Sequence, residues 1–278
     1  MRYGIIAGNG RFPILALEAA RAQGHQVVAI GIEGEASPDI EPLATTTHWI
    51  SIAALSKLIS ILKEEQITEI LFCGQVKHVS LFSALRPDWR LAKLLFSLKR
   101  KNTDSILNGV IQVLEQEGIH VADSTRLLKP LLAPEGVITK RTPTADEAED
   151  IAYGRQVANA LSAFDIGQSV AIAERACVAV EAMEGTDEML RRAASLTKGR
   201  RDLRLIKAAR RRAHMKFDVP VIGPQTIAVM KETNTTALAI TAGRTLLLDR
   251  QAIIDAANNA NITITGYPPE AEEIDPTY

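Results

Sequence analysis

The chain has 278 residues, 46% of them apolar and 4% aromatic, with a formal net charge of −1. That length is one large domain or two ordinary ones with aliphatic side chain enough for a core, and the balanced charge argues against a nucleic-acid surface over the whole molecule. The two cysteines, Cys73 and Cys177, are far apart and form no CxxC pair, so neither a disulfide framework nor a structural zinc site is implied; no run of about eighteen apolar residues offers a membrane span, and the start has no secretory pattern, so a cytoplasmic location is expected.

YGIIA (3–7) reads as a buried strand and leads into AGNGRFP. Pro13 stands where a helix begins, because its fixed φ suits the first turn. The helical period of FPILALEAARAQG runs to Gly24, and HQVVAIGI (25–32) is a second buried strand, which completes a βαβ opening. LSKLISILKEEQI is an amphipathic helix, TEILFCG (68–74) a third strand, residues 103–118 a further helix and GIHVAD a short strand. SLFSALRPDWRLAKLLFSL (80–98) sets Leu, Phe and Trp among Arg and Lys; it reads first as a buried helix, second as a segment touching lipid or a membrane surface. Alternating β and α implies a parallel sheet covered on both faces.

LLAPEGVITKRTPTADE (131–147) has no clear period and reads as a linker, which divides the chain into 1–130 and 148–278. DEAEDIAYGRQVANALSAF is then a helix, and SVAIAERACVAVEAM a hairpin turning at Glu174–Arg175. EMLRRAASL is a helix, RLIKAA a strand, GPQTIAVMKETN a helix, TALAIT and TLLLD strands, RQAIIDAANNAN a helix and ITITG the last strand. This half is α/β with a mixed sheet.

Four segments carry candidate chemistry. A Gly-rich turn between strand and helix lets backbone N–H groups approach an anion that the helix dipole also favours, which marks Gly8, Asn9 and Gly10. A dinucleotide fingerprint needs a third glycine where Pro13 stands, so a phosphate or nucleotide is expected there and NAD is disfavoured. CGQVKH ends a strand where ligands of open α/β sheets bind, and offers Gln75 as an amide and Lys77 as a phosphate partner. In VEAMEGTDEMLRRA, Thr186 or Asp187 caps a helix, or Glu184, Thr186 and Asp187 coordinate Mg²⁺ or phosphate with Arg191 one turn on. From Lys198 to Lys216 there are nine Lys or Arg against one Asp, a net +8 that leaves −9 for the rest of the chain; such a patch suits a polyphosphate or an acidic membrane. Asp218 follows it, kept ionised by nearby cations and able to hold Mg²⁺ or orient a water. The five histidines do not cluster, and neither a P-loop nor a Ser-His-Asp order is present.

IIAGNGRFP, QGHQVVAIGIEGEA, CGQVKH, NTDSILNGVIQVLEQEGI, DIGQSVAI, VEAMEGTDEMLRRA and FDVPVIGPQTI occur in that order over residues 1–266. Together they resemble the LpxI-type UDP-2,3-diacylglucosamine pyrophosphatase family. The resemblance implies an N-terminal Rossmann-like domain, a distinct C-terminal domain, and Mg²⁺-dependent hydrolysis of UDP-2,3-diacylglucosamine to UMP and 2,3-diacylglucosamine 1-phosphate (lipid X) in lipid A synthesis. It implies Asp218 as the essential aspartate, holding the metal or orienting the water, and Asp218 and Asp187 are the residues expected at the metal. Thr186 and Asp187 fall on the family's GTD motif, and Lys207 on its conserved-pattern lysine. Gly8, Asn9, Gly10, Gln75 and Lys77 would hold the nucleotide, with UDP as that nucleotide. The chain departs from the pattern KxxKPxQDxRFDxP, reading KAARRRAHMKFDVP. Arginines grip phosphate bidentately and can replace the lost Gln and Asp there, but not as a metal ligand. A homodimer, peripheral membrane contact and no nucleic-acid partner are expected. Two other classes compete: a nucleotide-dependent oxidoreductase, carried by the βαβ opening, and a non-catalytic anionic-lipid- or RNA-binding protein, carried by the basic stretch.

Overall fold

A buried apolar strand leading into a Gly-rich turn is what the first residues build. In the computed structural model, which describes residues 1–76, 87–99, 102–164, 166–199, 202–209, 215–217 and 219–269, strand β1 (Arg2–Ala7) is buried in all but its first residue. Helix α1 (Phe12–Ala22) follows with Pro13 in its first turn, as expected. Then come β2 (Gln26–Ile32), β3 (Thr46–Ile50), α2 (Leu55–Glu64), β4 (Glu69–Cys73), α3 (Trp89–Ser97), α4 (Thr103–Gln116) and β5 (His120–Val121). All pairings are parallel, in the order β3-β2-β1-β4-β5. Ile6, Val28, Ile30 and Ile70 of the sheet pack against Leu58 and Leu62 of α2 and Ile111 and Leu114 of α4. Each such side chain contributes about 1.5–3 kcal/mol through burial.

Two elements of this unit differ from expectation. The sequence reading passed over β3, because TTHWI buries only Ile50 and so lacks an apolar period. It expected a buried helix first around α3, yet α3 has no buried residue. Only Leu91 and Leu94 reach the core.

The second unit begins at Pro130, and residues 215–217 leave it to join the first. Within the Pro-containing stretch 131–147, β6 (Gly136–Val137) pairs antiparallel with the last strand. Thr144 closes a capping box with Glu147 at the start of α5 (Ala145–Ala163). Next are β7 (Ser169–Ala173), β8 (Ala176–Val180), α6 (Thr186–Thr197), β9 (Leu203–Lys207), β10 (Val221–Ile222), α7 (Pro224–Glu232), β11 (Thr235–Thr241), β12 (Leu246–Leu247), α8 (Arg250–Asn259) and β13 (Thr263–Tyr267). The main sheet is mixed, in the order β6-β13-β11-β9-β7-β8, with β9, β11 and β13 parallel. The expected hairpin is β7–β8, and both turn residues, Glu174 and Arg175, have left-handed φ (50° and 58°), the twist a two-residue hairpin requires. TLLLD shortens to β12, which pairs with β10 outside the main sheet. Helix α5 covers one face through Ile151 and Ala158; Met189, Ile227, Met230 and Ile253 from α6, α7 and α8 cover the other. Among the described residues no helix is long and apolar enough to cross a membrane.

Candidate functional site

In the first unit the strand order reverses between β1 and β4, and the turn after β1 lies at that switch point. Gly8 N–H donates to the Cys73 carbonyl (2.8 Å), Asn9 N–H to the Gln75 carbonyl (2.6 Å), and Gln75 N–H to the Asn9 carbonyl (3.1 Å). The structure therefore brings Gly8, Asn9 and Gln75 together. A Cβ at Gly8 would lie 2.5 Å from the Gln75 carbonyl oxygen, so only glycine fits. The bridge also changes what the turn offers an anion. The Gly8 and Asn9 amides are committed to β4 and its following turn, while α1 starts without a side-chain cap. Gly10 has φ 93°. Lys77 lies outside the described residues.

Residues 215–217 are clipped onto this unit. Fully buried Ser124 donates its N–H to the Met215 carbonyl (2.7 Å) and its hydroxyl to the Lys216 carbonyl. Lys216 pairs with Glu115 at 2.9 Å, and Phe217 packs against the core. The next residue in the chain is Asp218, which lies outside the described residues, as do Arg210, Arg211, Arg212 and His214.

In the second unit, three predicted residues meet. The Lys207 ammonium, at the end of β9, donates to Thr186 Oγ1 at 2.9 Å. Thr186 in turn donates to Glu181 Oε1 at 2.9 Å and lies 3.3 Å from Ser169 Oγ. Burial pushes the Asp187 carboxyl above its ordinary value, against the opposing pull of Arg191, Lys207 and a hydrogen bond from Thr226. Neither Thr186 nor Asp187 caps the helix: the N-cap is Gly185 at φ 86°, with no side-chain cap. The Thr186 hydroxyl is spent on charged partners instead.

Other expectations are corrected here. Glu184 does not join the group; it accepts from the Ala182 amide (3.0 Å) and pairs with Arg192 (2.6 Å). Arg191 pairs with Glu188 and Glu232 and, as expected, lies close enough to act on Asp187. Of the basic stretch, Arg204 is 8% exposed and sits 3.6 Å from Asp150, Lys207 faces Thr186, and Lys216 belongs to the first unit, while Arg200, Arg201, Arg210, Arg211 and Arg212 lie outside the described residues.

Ser169, Glu181 and Thr226 are the site residues that the sequence reading missed. Ser169 and Thr226 lie inside the segments SVAIA and GPQTI, but nothing in a β-strand or helix period marks a polar residue as the partner of Thr186 or Asp187. Glu181 Oε2 is buried with no hydrogen-bond partner among the described residues, which leaves it open to a water or a ligand. Among the described residues no group of three or more His, Cys, Asp or Glu could hold a metal ion.

Comparison with known proteins accounts for both units. Residues 2–131 match the LpxI N-terminal domain and residues 134–265 the LpxI C-terminal domain. The chain is 31% identical to UDP-2,3-diacylglucosamine pyrophosphatase LpxI of Caulobacter vibrioides, over 97% of this chain and 98% of that protein. Among solved structures, phosphoribosylglycinamide synthetase from Anaerococcus prevotii is 12% identical with a TM-score of 0.27, covering 62% of this chain and 31% of that one. UDP-glucose 4-epimerase from Bifidobacterium longum is 16% identical with a TM-score of 0.29, covering 52% and 43%. Likenesses of that size carry no argument. The two domain matches and the full-length relative do: the chain belongs to the LpxI family.

Proposed function

We propose that this protein hydrolyses UDP-2,3-diacylglucosamine to UMP and 2,3-diacylglucosamine 1-phosphate, a step of lipid A synthesis. The observation that carries the reading is the similarity to a pyrophosphatase along the whole chain. The Lys207–Thr186–Asp187 group supports it with suitable chemistry. Cleaving a phosphoanhydride requires charge to be neutralised on the transferring oxygens and a water placed in line. Lys207 supplies fixed positive charge. The Thr186 hydroxyl donates a hydrogen bond to Glu181, so its lone pairs face Lys207 and hold the ammonium in place. Such pre-orientation lowers the barrier because no reorganisation is left for the moment of reaction.

Asp218 is assigned to holding the metal or orienting the water, and Gly8, Asn9, Gly10, Gln75 and Lys77 to the nucleotide. Mg²⁺ is assigned to Asp187 and Asp218. Asp187 fits that role, since a desolvated carboxylate gains most from a bound cation. When bound, Mg²⁺ would neutralise phosphate charge. A cytoplasmic homodimer in peripheral contact with a membrane surface belongs to the same reading.

The test is UMP release from UDP-2,3-diacylglucosamine with and without chelator, alongside thermal shifts with UDP and NAD⁺. The reading expects release that needs Mg²⁺ and protection by UDP alone. Protection by NAD⁺ without UMP release would favour an oxidoreductase instead.

A further inference from the structure

We propose that the outer face of α3 docks the protein on an anionic lipid bilayer. Among the described residues the helix is anchored on one side only. Leu91 and Leu94 pack against the core of the first unit. Leu94 lies 2.6 Å from where a Cβ at Gly109 of α4 would stand, so the missing side chain there lets the two helices approach. Asp88 pins the start: its carboxylate accepts from the Leu91 and Ser56 amides, and its own N–H donates to the Ala53 carbonyl at 3.1 Å. Arg90 pairs with Glu117.

The opposite stripe is Trp89, Lys93 and Phe96, spaced four and three residues apart and therefore on one helix face. Trp89 is 65% exposed and Phe96 87%. Two large aromatics flanking a lysine cannot bury the roughly 800 Å² per partner that a stable protein interface needs. They are enough for an interfacial helix, whose rings sit at headgroup level while Lys stems snorkel to the phosphates. Charge selects the same occupant. The described residues 87–99 carry Arg90, Lys93 and Lys99 against Asp88, whose carboxylate is taken up by the Leu91 and Ser56 amides, in a chain whose net charge is −1. A local cation excess beside exposed aromatics complements an anionic bilayer rather than a neutral one. The inference deepens the hydrolase reading, on which it rests for the reason to approach lipid: a diacyl substrate resides in a membrane.

The experiment uses the full chain and vesicles of phosphatidylcholine, alone or mixed with phosphatidylglycerol. In a Trp49→Phe variant, Trp89 is the sole tryptophan. Its emission should shift to the blue and be quenched by brominated lipid on the mixed vesicles only, and high salt should reverse this. Lys93→Glu changes two charges and should weaken partitioning roughly 25-fold, at about fivefold per charge. Phe96→Ser should weaken it as well, with the circular dichroism and melting temperature unchanged because the side chain is exposed. Should Trp49→Phe fail to fold, co-sedimentation of the native chain with the same vesicles gives the same decision. No binding to mixed vesicles, or equal binding to both kinds, overturns the proposal. So does a dimer in sedimentation that Phe96→Ser dissociates, since a second copy would then cover this face. No turnover is read, so failure here leaves the hydrolase reading standing, and a failed UMP assay leaves this surface standing.

Discussion

Replacing Thr186 by valine removes one oxygen and keeps the branched shape. At that oxygen Lys207 donates at 2.9 Å, Glu181 accepts at 2.9 Å, and Ser169 lies at 3.3 Å. Glu181 Oε2 is already buried without a partner, so valine leaves the carboxylate with no side-chain donor among the described residues. A hydrogen bond to a charged group contributes about 1.5–3 kcal/mol. The two charged bonds share one atom and are not additive, so the expected loss is about 2–4 kcal/mol. In scanning calorimetry the transition of the second unit should fall by about 3 °C per kcal/mol. If Lys207 acts on the phosphates, kcat/KM for UMP release should fall by about tenfold or more, since each 1.4 kcal/mol of transition-state stabilisation is a factor of ten. Thr186→Ser restores the hydroxyl and should recover most of both. A Thr186→Val protein with wild-type melting and wild-type kcat/KM would refute the hydrogen-bond argument. Lower melting with unchanged kcat/KM would make the network a scaffold and take Lys207 out of the reaction.

The remaining predictions concern the turn, the desolvated carboxyl and a buried ion pair. Gly8→Ala places a methyl 2.5 Å from the Gln75 carbonyl; it should destabilise the first unit by about 1–3 kcal/mol and weaken UDP binding in titration, and unchanged UDP affinity would remove this turn from the nucleotide site. Asp187 has a carboxyl raised by burial, so the folded state holds its proton more tightly than the unfolded chain. Its stabilising contribution is complete below the unfolded pKa and is lost as pH rises through the folded one. Asp187→Asn should therefore melt at or above wild type at neutral pH, lose that advantage in acid, and lack UMP release. Glu147 is the opposite case. Burial pushes its carboxyl up, but hydrogen bonds from Arg141, Thr236 and the Thr144 amide outweigh this and hold it at about 2. Its contribution is present above the unfolded value of 4.5 and fades as pH falls toward 2. Arg141→Ala strands that carboxylate and should cost about 3–5 kcal/mol in denaturant unfolding, with Glu147→Gln in the same chain recovering part of the loss.

The parallel first sheet and the mixed second one were legible because buried strands such as RYGIIA and SVAIA are continuous apolar runs between turn residues. β3 was not, because its burial is partial and its period weak. α3 was misplaced for the opposite reason: an amphipathic period says that one face is apolar, not that anything covers it. At the candidate site, Thr186, Asp187 and Lys207 could be named from motif and charge. The roles of Ser169, Glu181 and Thr226 depend on tertiary contacts between β7, the segment after β8, and α7, which no local pattern encodes. The membership of 215–217 in the first unit is of the same kind: Ser124 and Lys216 are 92 residues apart.

The central claim is that Asp218, one residue beyond the Ser124 clip, serves Mg²⁺-dependent hydrolysis. The most direct measurement follows products from UDP-2,3-diacylglucosamine by phosphorus NMR for the wild type and Asp218→Ala, both checked for native circular dichroism and melting. The account predicts UMP and 2,3-diacylglucosamine 1-phosphate from the wild type with Mg²⁺, and neither from the folded variant. Wild-type turnover that Asp218→Ala retains, or a folded wild type that releases no UMP at any substrate or metal concentration, would contradict it.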